Sequence, residues 1–193
     1  LRALNHPHIL NFFIMKLICH RRVELILDYI DGVNLAELNP QISLDDREDV
    51  AAYVAEVVGQ VLKTVHQKGC THGDISPRNI LISNRGDIKI SDFGLASMGA
   101  LQGNKNKGSA HYLAPERWRG ERGQWAADIF SFGILVYEIL SGQNPILLLE
   151  GMASDQKVSL FIKQRSWETF TEWTPFFNGC FALNPNERSH AET

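Results

Sequence analysis

Cysteine is scarce in this chain. Three residues, Cys19, Cys70 and Cys180, stand far apart and form no C-x-x-C pair. That excludes a disulfide framework and a paired-cysteine zinc site, and it suits a reducing compartment. A cytoplasmic location is the resulting expectation, with a membrane anchor elsewhere in a longer protein left open. Charge of one sign is lacking too. Lys and Arg number 19 against 22 Asp and Glu, a net charge of −3, which argues against nucleic acid or another polyanion as partner. No uninterrupted apolar run of membrane-spanning length occurs. Residues 129–149 come closest, but Glu138, Ser141, Gln143, Asn144 and Pro145 interrupt them, so they read as a buried helix and a loop. No secretory leader, internal repeat or low-complexity linker is visible. Leu1 rather than Met opens the chain, so a piece of a longer protein is expected. What remains is 193 residues, 44% hydrophobic, enough for one sizeable core.

Against that background, Cys70-Thr71-His72-Gly73-Asp74-Ile75-Ser76-Pro77-Arg78-Asn79 puts a carboxylate, an arginine and a carboxamide close together. It then runs into Ile80-Leu81-Ile82, an apolar stretch that reads as a strand. Asp and Asn are common turn residues, so alone this is as much a turn as a site. Two further motifs follow in order: Ser91-Asp92-Phe93-Gly94, then Ala114-Pro115-Glu116. The set H-x-D-x-x-x-x-N, D-F-G and A-P-E resembles the protein-kinase signature.

The resemblance implies an α+β kinase-like fold, with a mostly helical large lobe and a remnant β-hairpin of the small lobe. Residues 1–30 would be the end of the small lobe and the hinge. Residues 31–193 would be the large lobe, incomplete at its C-terminus. It also implies ATP, Mg²⁺ and a protein substrate as partners. Phosphoryl transfer asks the protein for positioning and charge neutralisation. Asp74 would orient the attacking hydroxyl, and Arg78 would place a positive charge near the transferring phosphate. Asn79 and Asp92 would hold the magnesium, a hard cation that takes oxygen ligands. His72, Phe93 and Gly94 are the structural members of these motifs. Asp128 matches the family's buried aspartate that holds the catalytic loop's backbone, and Arg188 resembles the arginine that pairs with Glu116.

In chain order, Leu1 to Leu4 reads as a helix end and Asn5-His6-Pro7 as a turn. His6 and His8 lack further ligands and read as surface residues of that turn. Leu10 to Ile18 and Val23 to Tyr29 read as a two-stranded hairpin. By resemblance, Leu27 would guard the back of an adenine pocket, the backbone from Asp28 to Ile30 would hydrogen-bond the base, Asn34 would reach the ribose and Leu81 would form the floor. An ordinary strand-to-helix connection accounts for Asp28 to Leu38 equally well. Ser43 is expected to cap the next helix, with Asp45 and Asp46 in its first turn. Val50, Val54, Val57, Val58, Val61, Leu62 and Val65 mark its buried face, and Gly69 its end. Asn84-Arg85-Gly86 reads as a hairpin turn. Ala126 to Leu140 is apolar on nearly every side, hence a buried helix closed by Gly142. Trp167, Phe170, Trp173, Phe176, Phe177 and Phe181 read as core.

Several features depart from the family pattern. The Gly-rich loop, the third-strand Lys and the helix Glu of kinases have no counterpart in this stretch. By itself it is expected to be inactive, with little ATP affinity. Gly73 stands where an Arg usually binds a phosphorylated activation segment, and Ser97 is the only hydroxyl residue between Leu95 and Lys107. Activity without that switch is the expectation. Ser76 stands where Ser/Thr kinases usually have Lys, whereas Arg78 sits as in tyrosine kinases. Gly108-Ser109-Ala110-His111-Tyr112 resembles the substrate-side loop of Ser/Thr kinases, and the Ser/Thr reading is preferred on that loop. Gly103 to Ser109 imitates a phosphate loop but lacks its Lys and its leading strand. A silent pseudokinase binding module is the rival of another class. Small-molecule kinases of the aminoglycoside and choline type share H-G-D-x-x-x-x-N but generally lack the later motifs.

Overall fold

The computed structural model describes residues 4, 6–18, 22–93, 110–121, 125–149 and 154–191. Gly94, Ser97, the segment imitating a phosphate loop and Ser109 lie outside the described residues, as do Cys19 and most of the first four positions. A turn closed by the Ile9 N–H donating to the His6 carbonyl (3.0 Å) leads in. Strands β1 (Phe12–Ile18) and β2 (Arg22–Leu27) then pair antiparallel, Met15 opposite Leu25 and Ile18 opposite Arg22. A second sheet holds β3 (Gly32–Asn34), which runs straight into the short helix α1 (Leu35–Leu38).

Helix α2 (Arg47–Gln67) follows. Its start differs from expectation. The Ser43 hydroxyl accepts from the Asp46 N–H (3.3 Å) and donates to the Asp46 carboxylate (2.6 Å), so it closes the turn at 44–46 rather than the helix. Asp46 is the residue flanking the first helical turn. At the other end Gly69, at φ +68, takes the left-handed position that closes a helix. The Gly69 N–H donates to the His66 carbonyl and the Cys70 N–H to the Val65 carbonyl, a Schellman arrangement. Ala51, Val54, Val57, Val58, Val61, Leu62 and Val65 are buried, at the spacing of three and four that the sequence shows.

Strands β4 (Ile80–Ser83) and β5 (Ile88–Ile90) complete the second sheet in the order β3-β4-β5, all antiparallel. Gly86, at φ +86, makes their turn. Gly32 opposes Ser83 so closely that a Cβ there would lie 2.0 Å from the Ile82 carbonyl oxygen. Residues 8–10 run beside β5, the Ile90 N–H donating to the His8 carbonyl and the Leu10 N–H to that of Ile90.

Helix α3 (Pro115–Trp118) precedes α4 (Trp125–Ser141), the axis of the core. Phe130, Ile134, Leu135, Val136 and Ile139 on α4 are fully buried. Helices α5 (Ser154–Gln164) and α6 (Thr174–Cys180) surround it. Trp167 and Phe181 are buried against Phe161, Phe177 stacks on Phe181, and Phe170, Trp173 and Phe176 pack on Phe177. Helices α2 and α4 pack together antiparallel. Arg47, at the start of α2, sends its buried guanidinium to the end of α4. It donates to the Ile139 carbonyl (2.6 Å), to the Asn39 Oδ1 and carbonyl, and to the Ile42 carbonyl. Gly142 leaves room for it, since a Cβ there would sit 3.1 Å from Arg47 Cζ.

Candidate active site

The end of α2 delivers the chain to a turn that is fastened from α4. Asp128 Oδ2 accepts from the His72 N–H and Oδ1 from the Gly73 N–H, each at 2.8 Å. Gly73 sits at φ +83, a conformation that glycine adopts without steric cost. His66, in the last turn of α2, brings Nε2 to 2.9 Å from Asp128 Oδ2. One buried carboxylate thus ties α2, α4 and the loop together.

The His72 ring is fully buried and spans the loop. Its Nε2 lies 3.1 Å from the Ser91 carbonyl, and its Nδ1 accepts from the Asp74 N–H at 3.2 Å. Those partners require the neutral tautomer with the proton on Nε2. Burial holds the pKa of this ring below the usual histidine value, against the opposing pull of Asp128. Phe93 packs on the ring at 4.5 Å between centroids.

Asn79 Nδ2 donates to the Asp74 carbonyl (2.7 Å) and to its Oδ2 (3.0 Å), which fixes the carboxylate and turns Asn79 Oδ1 away from it. The Asn79 carbonyl in turn accepts from the Ser91 N–H (2.9 Å), which ties the loop to the end of β5. Asp92 follows at φ +58, its side chain exposed. Non-glycine residues rarely hold that backbone, and strain of this kind gathers at functional sites. Arg78 is exposed and forms no hydrogen bond or ion pair with other described residues. Ser76 is 2% exposed, and its hydroxyl has no partner among them. Two carboxylates and a carboxamide oxygen make an all-oxygen donor set, the kind a hard divalent cation takes while keeping waters and phosphate oxygens.

On the other side, Asn34 and Leu81 are cross-strand partners in the β3–β4 pair. The two residues expected at ribose and adenine therefore sit side by side. Asn34 also caps α1, its Oδ1 accepting from the Glu37 N–H (3.1 Å) and its Nδ2 donating to Glu37 Oε1 (2.8 Å). Leu27 is 47% exposed at the end of β2, and Ile30 is half-buried. The Asp28 N–H donates to the Asn11 carbonyl (3.0 Å), so within the segment from Asp28 to Ile30 that donor is already engaged.

Beyond the loop, Arg188 meets Glu116 in a buried two-pronged pair at 2.6 and 2.8 Å and also donates to the Ala126 carbonyl. Tyr112 donates to Glu138 Oε2 (2.5 Å), which also accepts from Asn144 Nδ2 (2.9 Å). Burial, followed by the Glu138 charge, pushes the Tyr112 hydroxyl far above the usual tyrosine range. Sequence reasoning assigned no role to His66 or Glu138. Each is an ordinary helix residue whose partner lies far along the chain, and helix periodicity reports faces, not partners.

A model of the protein kinase domain family matches residues 1–193. The serine/threonine-protein kinase AtPK1/AtPK6 of Arabidopsis thaliana is 40% identical over 146 residues, covering 74% of this chain and 31% of that protein. PrkC, a serine/threonine-protein kinase of Bacillus subtilis, is 32% identical over 164 residues, covering 78% of this chain and 23% of its own length. The serine/threonine-protein kinase PknB of Mycolicibacterium smegmatis is 35% identical over 132 residues, covering 64% and 20% respectively. The chain thus spans between a fifth and a third of the length of these relatives.

Proposed function

This chain belongs to the protein kinase domain family, and from that premise we propose that the protein carrying it transfers the γ-phosphoryl group of ATP to serine or threonine hydroxyls of protein substrates. The observation that carries the reading is the fixed Asp74–Asn79 pair on a loop fastened at both ends. Asp74 has a carboxylate oxygen beyond the one held by Asn79, and it orients the substrate hydroxyl and takes its proton. Asn79 and Asp92 hold magnesium, which neutralises the charge of the phosphates when Mg·ATP is bound. Arg78 adds a positive charge beside them. Leu27, the backbone of Asp28 to Ile30, Asn34 and Leu81 form the nucleotide side. A ribose contact by Asn34 would compete with its cap on α1. Residues 1–30 form the small-lobe and hinge part, and 31–193 the large lobe.

The serine/threonine preference draws on the names of the relatives and on Gly108-Ser109-Ala110-His111-Tyr112, which resembles the substrate-side loop of Ser/Thr kinases. The test is transfer from radiolabelled ATP to matched peptides bearing Ser, Thr or Tyr, using the full-length protein. Label on Ser and Thr is the expected result, and label confined to Tyr would overturn the preference. Gly73 and the hydroxyl-poor stretch from Leu95 to Lys107 support activity independent of activation-segment phosphorylation. Phosphatase treatment should therefore leave the rate nearly unchanged. A large loss of rate that tracked dephosphorylation of Ser97 or Ser109 would contradict it.

A further inference from the structure

We propose that the protein selects substrates carrying Asp or Glu close to the accepting hydroxyl, and that Lys157 and His111 make that selection. The proposal rests on the phosphoryl-transfer reading and deepens it by naming the substrate class. It starts from an imbalance of charge around the turn Ala110–Tyr112. The chain as a whole carries a net charge of −3, yet the carboxylates around this turn, beyond Asp74 and Asp92, are engaged. Glu116 is taken by Arg188, Asp128 by the His72 and Gly73 N–H groups, and Glu138 by Tyr112 and Asn144. The cations are not taken. Arg78, Arg117 and Lys157 form no hydrogen bond or ion pair with other described residues.

The turn itself is fixed. The Leu113 N–H donates to the Ala110 carbonyl (3.2 Å), and Ser131 on α4 donates to the Tyr112 carbonyl (2.7 Å). Arg78 approaches from the Asp74 loop: burial and the Glu138 charge push the Tyr112 hydroxyl up, and the Arg78 charge is near enough to pull against them. Arg117 lines a small cavity that Leu113 and Ala114 share with Thr71 and Gly73. Lys157 approaches from α5, which packs on α3. Val158 beside it and Phe161 one turn on are buried, so the half-buried Lys157 stands on a seated helix. The pKa of His111 lies below the usual histidine value, held there by burial first and by the Lys157 charge second, against Glu138. At neutral pH this ring is therefore uncharged and offers an N–H, while Lys157 offers the charge. A carboxylate on a bound peptide would meet both, in a positive field that no free carboxylate opposes. A lysine in its place would meet repulsion, and selection gains as much from that as from attraction.

Peptides that differ only in the residues flanking one Ser, all Glu, all Gln or all Lys, test this with the full-length protein. KM is expected to be about tenfold lower for the Glu peptide than for the Lys peptide, with kcat alike. High salt should narrow the gap, because it screens charges at the surface. Lys157→Glu should cancel the preference, Lys157→Arg should keep it, and His111→Ala should raise KM for the Glu peptide about threefold. Equal KM for the three wild-type peptides would overturn the proposal, as would a folded Lys157→Glu protein that still prefers Glu. A loss of the same size for all three peptides would mark a merely structural effect and overturn the role of Lys157. Should Lys157→Glu fail to fold, the wild-type comparison and its salt dependence decide. Binding of the same peptides, fluorescently labelled and read by anisotropy without ATP, separates this proposal from the reading beneath it. Tighter binding of the Glu peptide with transfer to none would refute phosphoryl transfer and leave the selection standing. Transfer to all three with equal binding and equal KM would refute the selection alone.

Discussion

At Asp74, one carboxylate oxygen is tied to Asn79 and the backbone N–H to His72, so the side chain is set before any substrate arrives. Asp74→Ala in the full-length protein is expected to cut phosphoryl transfer by roughly 10²–10⁴, the range for general acid–base groups. Asp92→Ala should weaken magnesium-dependent nucleotide binding. Radiolabel turnover and calorimetry with Mg·ATP check the two, and wild-type turnover in Asp74→Ala would refute the first. These residues were legible because the chemistry demands oxygen and charge at fixed separations along one loop. His66 and Glu138 were not. Their partners, Asp128 and Tyr112, stand 62 and 26 positions away, and no local pattern announces such a pairing.

Among the elements, the helices read most clearly. The valine spacing of α2 and the all-round apolarity of α4 follow from what each must bury. Boundaries read less well, because Ser43 and Asp46 are both good capping residues and only the geometry of the turn at 44–46 separates them. Gly69, Gly86 and Gly142 read correctly as helix ends and a turn, whereas the use of Gly32 was not legible, since it depends on what approaches it. Gly32→Ala would press a Cβ against the Ile82 carbonyl of the neighbouring strand, and the β3–β4 pair must part. A loss of about 1–3 kcal/mol in urea unfolding is expected, as for other overpacked sites. Gly59→Ala, on α2 with nothing within 4 Å of the added carbon, should instead gain roughly 0.5–1 kcal/mol from helix propensity. Equal effects for the two would refute the close approach at Gly32.

For the whole molecule, acid is the informative condition. Burial lowers the pKa of His72 below its ordinary 6.5, and it lowers those of His6 and His111 in the same direction. Above about pH 6.5 these rings are neutral folded and unfolded alike, and their contribution is fully present. As pH falls below that value the unfolded chain takes up protons that the folded chain resists, so stability declines. The urea midpoint is therefore expected to fall between pH 7.5 and 5.5, and a flat profile would mean that His72 is not held neutral by the fold.

The buried Arg47 makes a link of another kind, between the two long helices. It joins the start of α2 to the end of α4, while His66 and Asp128 join the opposite ends. Valine faces repeat every three or four residues, so by themselves they would tolerate a slip of one helical turn, about 5.4 Å. Neither clasp survives such a slip. Arg47 would lose the Ile139 carbonyl, and His66 would lose Asp128. The two fasteners work like the two marks of a vernier, selecting the one alignment in which both coincide. The alignment of these helices, and with it the placement of Asp74, is thus settled by a few polar atoms at their ends, while the apolar surface between them supplies adhesion without an address.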